Sequence, residues 1–445
     1  MNCRIIVLLA VFAWQMYCVS AQEIKSFTLK EAKDFALKNN SSIKMSQNDL
    51  LSARMKVRET TAIGLPQVKG NISYKDFIKQ PVSLVPAEFF GGQEGTFAEI
   101  TFGTEQNATA EIQASQLVFD GSYIVGLQTT KTFLELSKLN LEKTELDIEK
   151  QIAHSYATAL LAEKSREILS KNIVFMNANL EETKEMYNKG ILDVQDVEQL
   201  QLMVSEMRNK LDDADRQLAL SYDMLKLNMG LKINDSIRLS DSFDQLIKAV
   251  ENNNNDSSLA VSNNVEYKLL VAQQQLALLS VKNEKMKYFP NVNAFISHQE
   301  NAYRNEFNFF DGKFDWFPTT VWGINVNVPI FSSFMRNARV QQAKLQLENV
   351  SLNKNEISKN LTLSEMLARS NLDKAISEYN NGKENLKLAE RIRDKTALKY
   401  KEGMASSLQL SQSETQLLSV QNAYVLSMFN MFNAKAELDN ILGKH

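Results

Sequence analysis

Tyr187-Asn-Lys-Gly190-Ile-Leu-Asp193-Val-Gln-Asp196 returns 213 positions later as Tyr400-Lys-Glu-Gly403-Met-Ala-Ser406-Ser-Leu-Gln409, and the same offset carries Gly230 onto Gly443. Upstream of each Tyr-x-x-Gly lies a helix-compatible stretch of about 67 residues, 120–186 and 332–399. Each stretch follows a short alternating segment that ends at Phe119 or Phe331. The chain therefore reads as one unit written twice: β-hairpin, very long helix, tip, returning helix. The returning helices fall at about 193–229 and 406–442.

The breakers mark the same division. Pro66, Pro81 and Pro86 fill one window and Pro290, Pro318 and Pro329 another, and these are all six prolines. Between Ser122 and Phe289 there is no proline, and the glycines are Gly126, Gly190 and Gly230. Proline costs a helix interior about 3 kcal/mol and glycine about 1, so a run this clean predicts helices interrupted only at marked points. Leu139, Leu146, Ala153 and Leu160 stand seven apart, and Leu134, Leu141 and Ile148 form a second such series on a neighbouring stripe. Two stripes let one helix pack against neighbours on both sides. The second copy has a weaker version in Leu345 and Leu352, then Leu361, Ala368 and Ala375. At 1.5 Å per residue such a helix is about 100 Å long.

The breaker-rich windows hold the strands. In 64–74, Val68, Gly70, Ile72 and Tyr74 alternate with Lys69, Asn71 and Ser73; in 321–330, Trp322, Ile324, Val326, Val328 and Ile330 alternate with Gly323, Asn325 and Asn327. Further strands are expected at roughly 109–118 and 290–298. Period-two segments of about ten residues, apolar on one face, suit a transmembrane β-barrel wall. A half-buried soluble sheet shows the same alternation. Aromatic residues crowd the strand ends and loops, among them Tyr74, Phe77, Phe102, Phe307, Phe310, Trp316 and Trp322, and aromatic rings collect at membrane interfaces. Four strands cannot close a barrel, and an open edge in lipid leaves unpaired backbone groups. Three chains together would supply 12 strands, an even number in the usual range.

Composition narrows the function classes. Residues 1–21 read as a secretory signal, with Arg4 as its charge, Ile5–Trp14 as its apolar core and Val19-Ser20-Ala21 as a cleavage site. Both cysteines, Cys3 and Cys18, fall inside it, so no thiol chemistry is expected in the mature chain. Cys18 is preceded by Gln15-Met16-Tyr17, which lacks the residues of an acylation site. With 50 Lys and Arg against 53 Asp and Glu, there is no basic excess for nucleic acid. His154, His298 and His445 show no ligand spacing, and no phosphate loop or nucleophile elbow occurs. No enzyme, cofactor or metal site is expected. The charges of 135–150 read as the solvated face of a long helix.

Taken in order, Leu29-x-x-Ala32-x-x-x-Ala36-Leu37-x-x-Asn40, Leu65-Pro66-x-Val68, Phe289-Pro290-x-Val292, Pro329-Ile330-Phe331 and the two Tyr-x-x-Gly tips make the chain resemble the TolC family of outer membrane factors. The resemblance covers essentially the whole mature chain. It implies a mainly α fold with a β-barrel part: four transmembrane strands and long coiled-coil helices per chain, closing as a homotrimer into a 12-stranded barrel with an α-helical periplasmic tunnel. The boundaries that follow are a signal at 1–21, an equatorial segment and first helix at 22–63, hairpin 1 with its extracellular loop at 64–119, repeat-1 helices at 120–230, an equatorial linker at 231–264, a helix at 265–288, hairpin 2 at 289–331, and repeat-2 helices at 332–445.

The implied function is the passive exit duct of a tripartite efflux pump or type I secretion system, in the bacterial outer membrane. Its implied partners are a periplasmic adaptor, an inner-membrane pump and outer membrane lipid, with no nucleic acid. The tips then become gate and adaptor contacts: Tyr187, Gly190, Asp193 and Asp196 in the first repeat, and Tyr400, Gly403, Ser406, Gln409 and Gln412 in the second. Tyr74, Phe77, Trp316 and Trp322 become membrane-interface aromatics. Where relatives often carry paired aspartates, this chain has Gln409 and Gln412, and the position of the usual polar link is Ala405. A gate charge would rest on Asp196, expected to face Gln409. The alternative function is a periplasmic coiled-coil scaffold or adaptor that enters no membrane. Substrate identity does not follow from the sequence.

Overall fold

The computed structural model describes residues 25–252 and 261–443. The expected signal with Cys3 and Cys18, part of the linker, and His445 lie outside the described residues. In chain order the elements are β1 Lys25–Phe27, α1 Leu29–Asn39, α2 Ser41–Ile63, β2 Gln67–Asp76, β3 Val82–Pro86, β4 Phe97–Thr101, β5 Gln106–Phe119, α3 Gly121–Asn188, α4 Val194–Met229, β6 Ile237–Leu239, α5 Phe243–Asn252, α6 Val265–Met286, β7 Asn291–Arg304, β8 Phe317–Asn327, α7 Met335–Lys401 and α8 Ser407–Ile441. The chain divides into two compact units, one made of Leu51–Leu136 and Ala272–Leu352, the other of the remaining segments.

The first unit contains an antiparallel sheet in the order β2-β5-β7-β8. Its two hairpins join through β5 and β7, so β2 and β8 are edges that, among the described residues, have a pairing partner on one side only. Register explains the alternation in the sequence. Val68, Ala114, Ile296 and Trp322 stand side by side, and Ile72 and Ile112 share their face. Lys69, Gln113 and Ser297 make the next row, on the opposite face with Asn71, Glu111 and Asn301. That polar face is knitted together: Ser297 donates to Glu111 Oε1 at 2.6 Å, and Thr109 to Asn301 at 3.0 Å. Inside the extracellular loop expected between β2 and β5, β3 and β4 form a separate hairpin.

The two strand-to-helix junctions differ. After β5, Asp120 Oδ1 accepts from the backbone N–H groups of Ser122 and Tyr123 and starts α3. After β8, the chain reaches α7 through Ser333 and Phe334 at positive φ.

In the second unit, both stripes of α3 are used: Ile148, Ala153 and Leu160 are buried in one apolar core with Ile152 and Tyr156, and Leu146 is buried as well. Leu361, Ala368 and Ala375 of α7 are buried, whereas Leu345 and Leu352, which lie in the sheet-containing unit, are exposed. β1 pairs in parallel with β6. The Tyr156 hydroxyl reaches the Phe27 carbonyl at 2.9 Å and Asp241 at 3.0 Å, tying the core helix to this small ribbon. Thr28 and Glu31 form a reciprocal capping box that starts α1. Asn40 ends it, its Nδ2 donating to the Asn228 carbonyl at 2.7 Å and its Oδ1 accepting from Ser42 N–H. The charged run of α3 is not simply solvated. Glu142 and Lys143 pair with Lys268 and Glu266 of α6, and Lys150 with Glu437 of α8. Exposed pairs of this kind contribute about 0–1 kcal/mol each. Among the described residues, no helix is long and apolar enough to cross a membrane.

Candidate functional site: the two helix tips

Each long helix ends in the same backbone reversal. Gly190 has φ 74° and Gly403 φ 71°, in the left-handed region where a side chain is strained. The N–H of Gly190 donates to Tyr187 C=O at 2.9 Å and that of Ile191 to Met186 C=O at 3.0 Å; Gly403 and Met404 repeat this with Tyr400 and Lys399. These bonds satisfy carbonyls that the helix end would otherwise orphan. The chain then enters the returning helices through Asp193 and Ser406, both extended.

The side chains are not equivalent. Ser406 and Gln409 form a reciprocal capping box: Ser406 Oγ accepts from Gln409 N–H at 3.3 Å, and Gln409 Oε1 from Ser406 N–H at 3.0 Å. Asp193 makes no side-chain cap bond. Tyr187 is 44% exposed and Tyr400 only 3%. The Tyr400 hydroxyl lies 2.8 Å from Thr183 Oγ1, and Thr183 donates its proton to the Asn179 carbonyl, so Tyr400 is the donor in their bond. Burial raises the Tyr400 phenol above the ordinary tyrosine value, and the Asp196 and Glu182 carboxylates add to this.

Asp196 does not face Gln409. It accepts from Ser407 Oγ at 2.5 Å, joining the start of α4 to the start of α8, and Gln409 is engaged in capping its own helix. Gln412 is exposed. Lys401 pairs with Glu182 at 2.8 Å. Beneath the turns, Met176, Leu180, Leu200, Met203, Met207, Ala397, Tyr400 and Leu410 form one apolar cluster. Methionine side chains are flexible and tolerate repacking. Around it Ile191, Val194, Met404 and Leu408 are exposed, a set of apolar side chains open to a partner.

In the sheet-containing unit, Tyr74 meets Phe307 and Phe309 edge-on at 5.8 and 5.7 Å, and Phe309 meets Trp316 at 6.5 Å. Phe77 is half-buried beside them in sequence. Trp322 stands apart, exposed in the Val68 row. Six residues along β2 separate that row from Tyr74, about 20 Å at 3.3 Å per residue. Among the described residues, no group of acidic, histidine or cysteine side chains has the arrangement of a metal site. Sequence reading missed Thr183 and Ser407, the partners that fix Tyr400 and Asp196. Neither carries a local signal, because each contact crosses about 210 or more residues.

A four-stranded sheet with one polar and one apolar face, long paired helices and two matched reversals together make a fold shared with solved outer membrane proteins. Residues 257–444 match the family model described as outer membrane efflux protein. The fold extends the likeness to the first repeat. VceC from Vibrio cholerae, an outer membrane protein, aligns over 94% of this chain and 96% of its own with a TM-score of 0.71 at 16% identity. CusC aligns over 94% and 92% with 0.72 at 14% identity. The CmeC outer membrane channel of Campylobacter jejuni aligns over 93% and 85% with 0.71 at 14% identity. A search of curated protein sequences gave no match.

Proposed function

We propose that the protein is an outer membrane efflux channel, the exit duct through which an export assembly releases its cargo. The observation that carries this reading is the four-stranded sheet with one apolar face and two unpaired edges. In lipid such edges must be paired, and further copies of the chain, joined β8 to β2, supply the pairing; three make the even-numbered barrel. Leu345 and Leu352, exposed on a single chain, are positioned for burial against a neighbouring copy.

In this reading the polar sheet face lines the pore and the helical unit stands in the periplasm. The two tips form the mouth that a periplasmic adaptor engages, with the inner-membrane pump choosing the cargo. Ile191 and Met404, the exposed residues immediately after each tip glycine, are the apolar contacts for an adaptor hairpin. Gating is a movement of α4 and α8 against α3 and α7. The duct performs no chemistry of its own.

The test is extraction and conductance. Recovery of a detergent-dependent trimer that conducts ions in planar bilayers is the expected result. Release from the membrane fraction by high salt alone, with no conductance, would overturn the reading in favour of a periplasmic scaffold.

A further inference from the structure

Glu414 lies two turns into α8, in line with Leu410 and Leu417, and is completely buried. Neither carboxyl oxygen has a hydrogen-bond partner. The nearest cation is Arg393 of α7, whose Nη1 stands 3.6 Å from Oε2, beyond hydrogen-bond length. That guanidinium is also committed elsewhere. Its Nε donates to Asp394 Oδ1 at 2.8 Å, and its Cζ lies 4.1 Å from the Phe175 ring centroid of α3. The charged groups facing Glu414 are thus Arg393 and Asp394, both on α7. From α3 comes the Phe175 ring beneath Arg393, and from α4 the neighbouring tip cluster receives Leu200, Met203, Val204 and Met207, none of them titratable.

A buried carboxylate is tolerated when it is paired and hydrogen-bonded, and a neutral acid at far lower cost. Here the pairing is partial and the hydrogen bonds are missing. We propose that Glu414 is a proton-operated latch on the second-repeat tip: the protonated side chain keeps the lower turns of α8 packed, and its ionisation releases them toward solvent. The latch rests on the reading of the tips as the gate. Burial pushes the Glu414 carboxyl up to about 7, against the opposing pull of Arg393 and with a small addition from Asp394.

The sign follows. The packed tip binds the proton more tightly than the opened one, so packing is strongest below the ordinary carboxylate range and weakens as pH rises toward about 7. Acid holds the tip shut, and neutral pH loosens it.

The experiment is hydrogen exchange on the full-length protein in detergent from pH 5 to pH 8, corrected for intrinsic exchange chemistry and followed in peptides covering Ser407–Val420. Protection in the wild type is expected to fall at least tenfold across this range. Glu414→Gln, isosteric and always neutral, is expected to stay at the acid level throughout. Arg393→Gln, which removes the opposing cation, should move the transition to higher pH. A pH-independent wild type, or a wild-type slope retained in Glu414→Gln, overturns the latch. Conductance on the same variants separates the two readings: the expected exchange pattern in a protein that never conducts supports the latch and sinks the duct.

Discussion

The first-repeat tip and the second-repeat tip share a backbone and little else. Both turn on a glycine near φ 70° with the same pair of helix-end bonds. Yet Tyr187 is exposed where Tyr400 is buried and bonded to Thr183, and Asp193 leaves its side chain idle where Ser406 closes a capping box. The difference teaches what duplication preserves. A reversal at the end of a long helix is a local geometric demand, met the same way each time. Side chains answer to their neighbours, and the two tips have different ones: the second is inserted into the apolar cluster through Tyr400 and Leu410, while the first supplies much of that cluster from its helix bodies.

The largest expected break in this comparison is at the tyrosines. Tyr400→Ala empties a buried aromatic site and should cost about 3–5 kcal/mol, read as faster hydrogen exchange at the ends of α7 and α8. Tyr187→Ala removes a half-exposed ring and should stay within about 0.5 kcal/mol. Equal losses in the two variants would mean that the tips are packed alike.

The glycines should behave as equals. Neither has an atom within 4 Å of where a Cβ would sit, so Gly190→Ala and Gly403→Ala suffer from backbone conformation alone, about 1–2 kcal/mol each. A marked inequality between them, measured by the same exchange experiment, would show that one turn is held by something besides its φ.

Much of this fold was legible in the sequence because its breakers are so sparse. Proline and glycine act through φ and the missing donor, independent of distant partners, so the helix ends near 188, 194, 401 and 407 were marked locally. The sheet was legible through alternation, since a strand with one apolar face repeats every two residues. What escaped reading was set across the chain. The break between α1 and α2 depends on Asn40 bonding to Asn228, 188 residues on. The Asp196 partner is Ser407 and not Gln409 because packing, and not position in the repeat, sets which side chains meet. Glu414 did carry a signal: an acidic residue four after Leu410 and three before Leu417 occupies the apolar stripe of an otherwise amphipathic helix. Reading charges on the wrong face, and not only apolar residues on the right one, would have found it.

Asp196 gives the next test, smaller because its carboxylate is only partly buried. Asp196→Ala removes the acceptor for Ser407 and should loosen the starts of α4 and α8 together, by about 1 kcal/mol. Asp196→Asn keeps an acceptor and should recover most of that. Failure of the asparagine variant to recover would place the effect in the charge.

The smallest effect separates the helix starts. Ser406→Ala breaks one half of the capping box: Gln409 N–H in the first turn of α8 loses its acceptor, while the backbone N–H of residue 406 keeps Gln409 Oε1. The cost is about 0.5–1 kcal/mol. Asp193→Ala breaks no side-chain bond at α4 and removes only a carboxylate near the helix N-terminus, a few tenths of a kcal/mol that salt should abolish. The salt response is therefore the sharper measurement: fraying of α4 in Asp193→Ala should converge on the wild type at high ionic strength, and fraying of α8 in Ser406→Ala should not. Gln409→Glu keeps the box and adds a charge at the second tip, which makes it the substitution that brings the two helix starts closest together. If its exchange profile at α8 then acquires salt dependence, the asymmetry between the tips is electrostatic at its origin; if not, it lies in the cap itself.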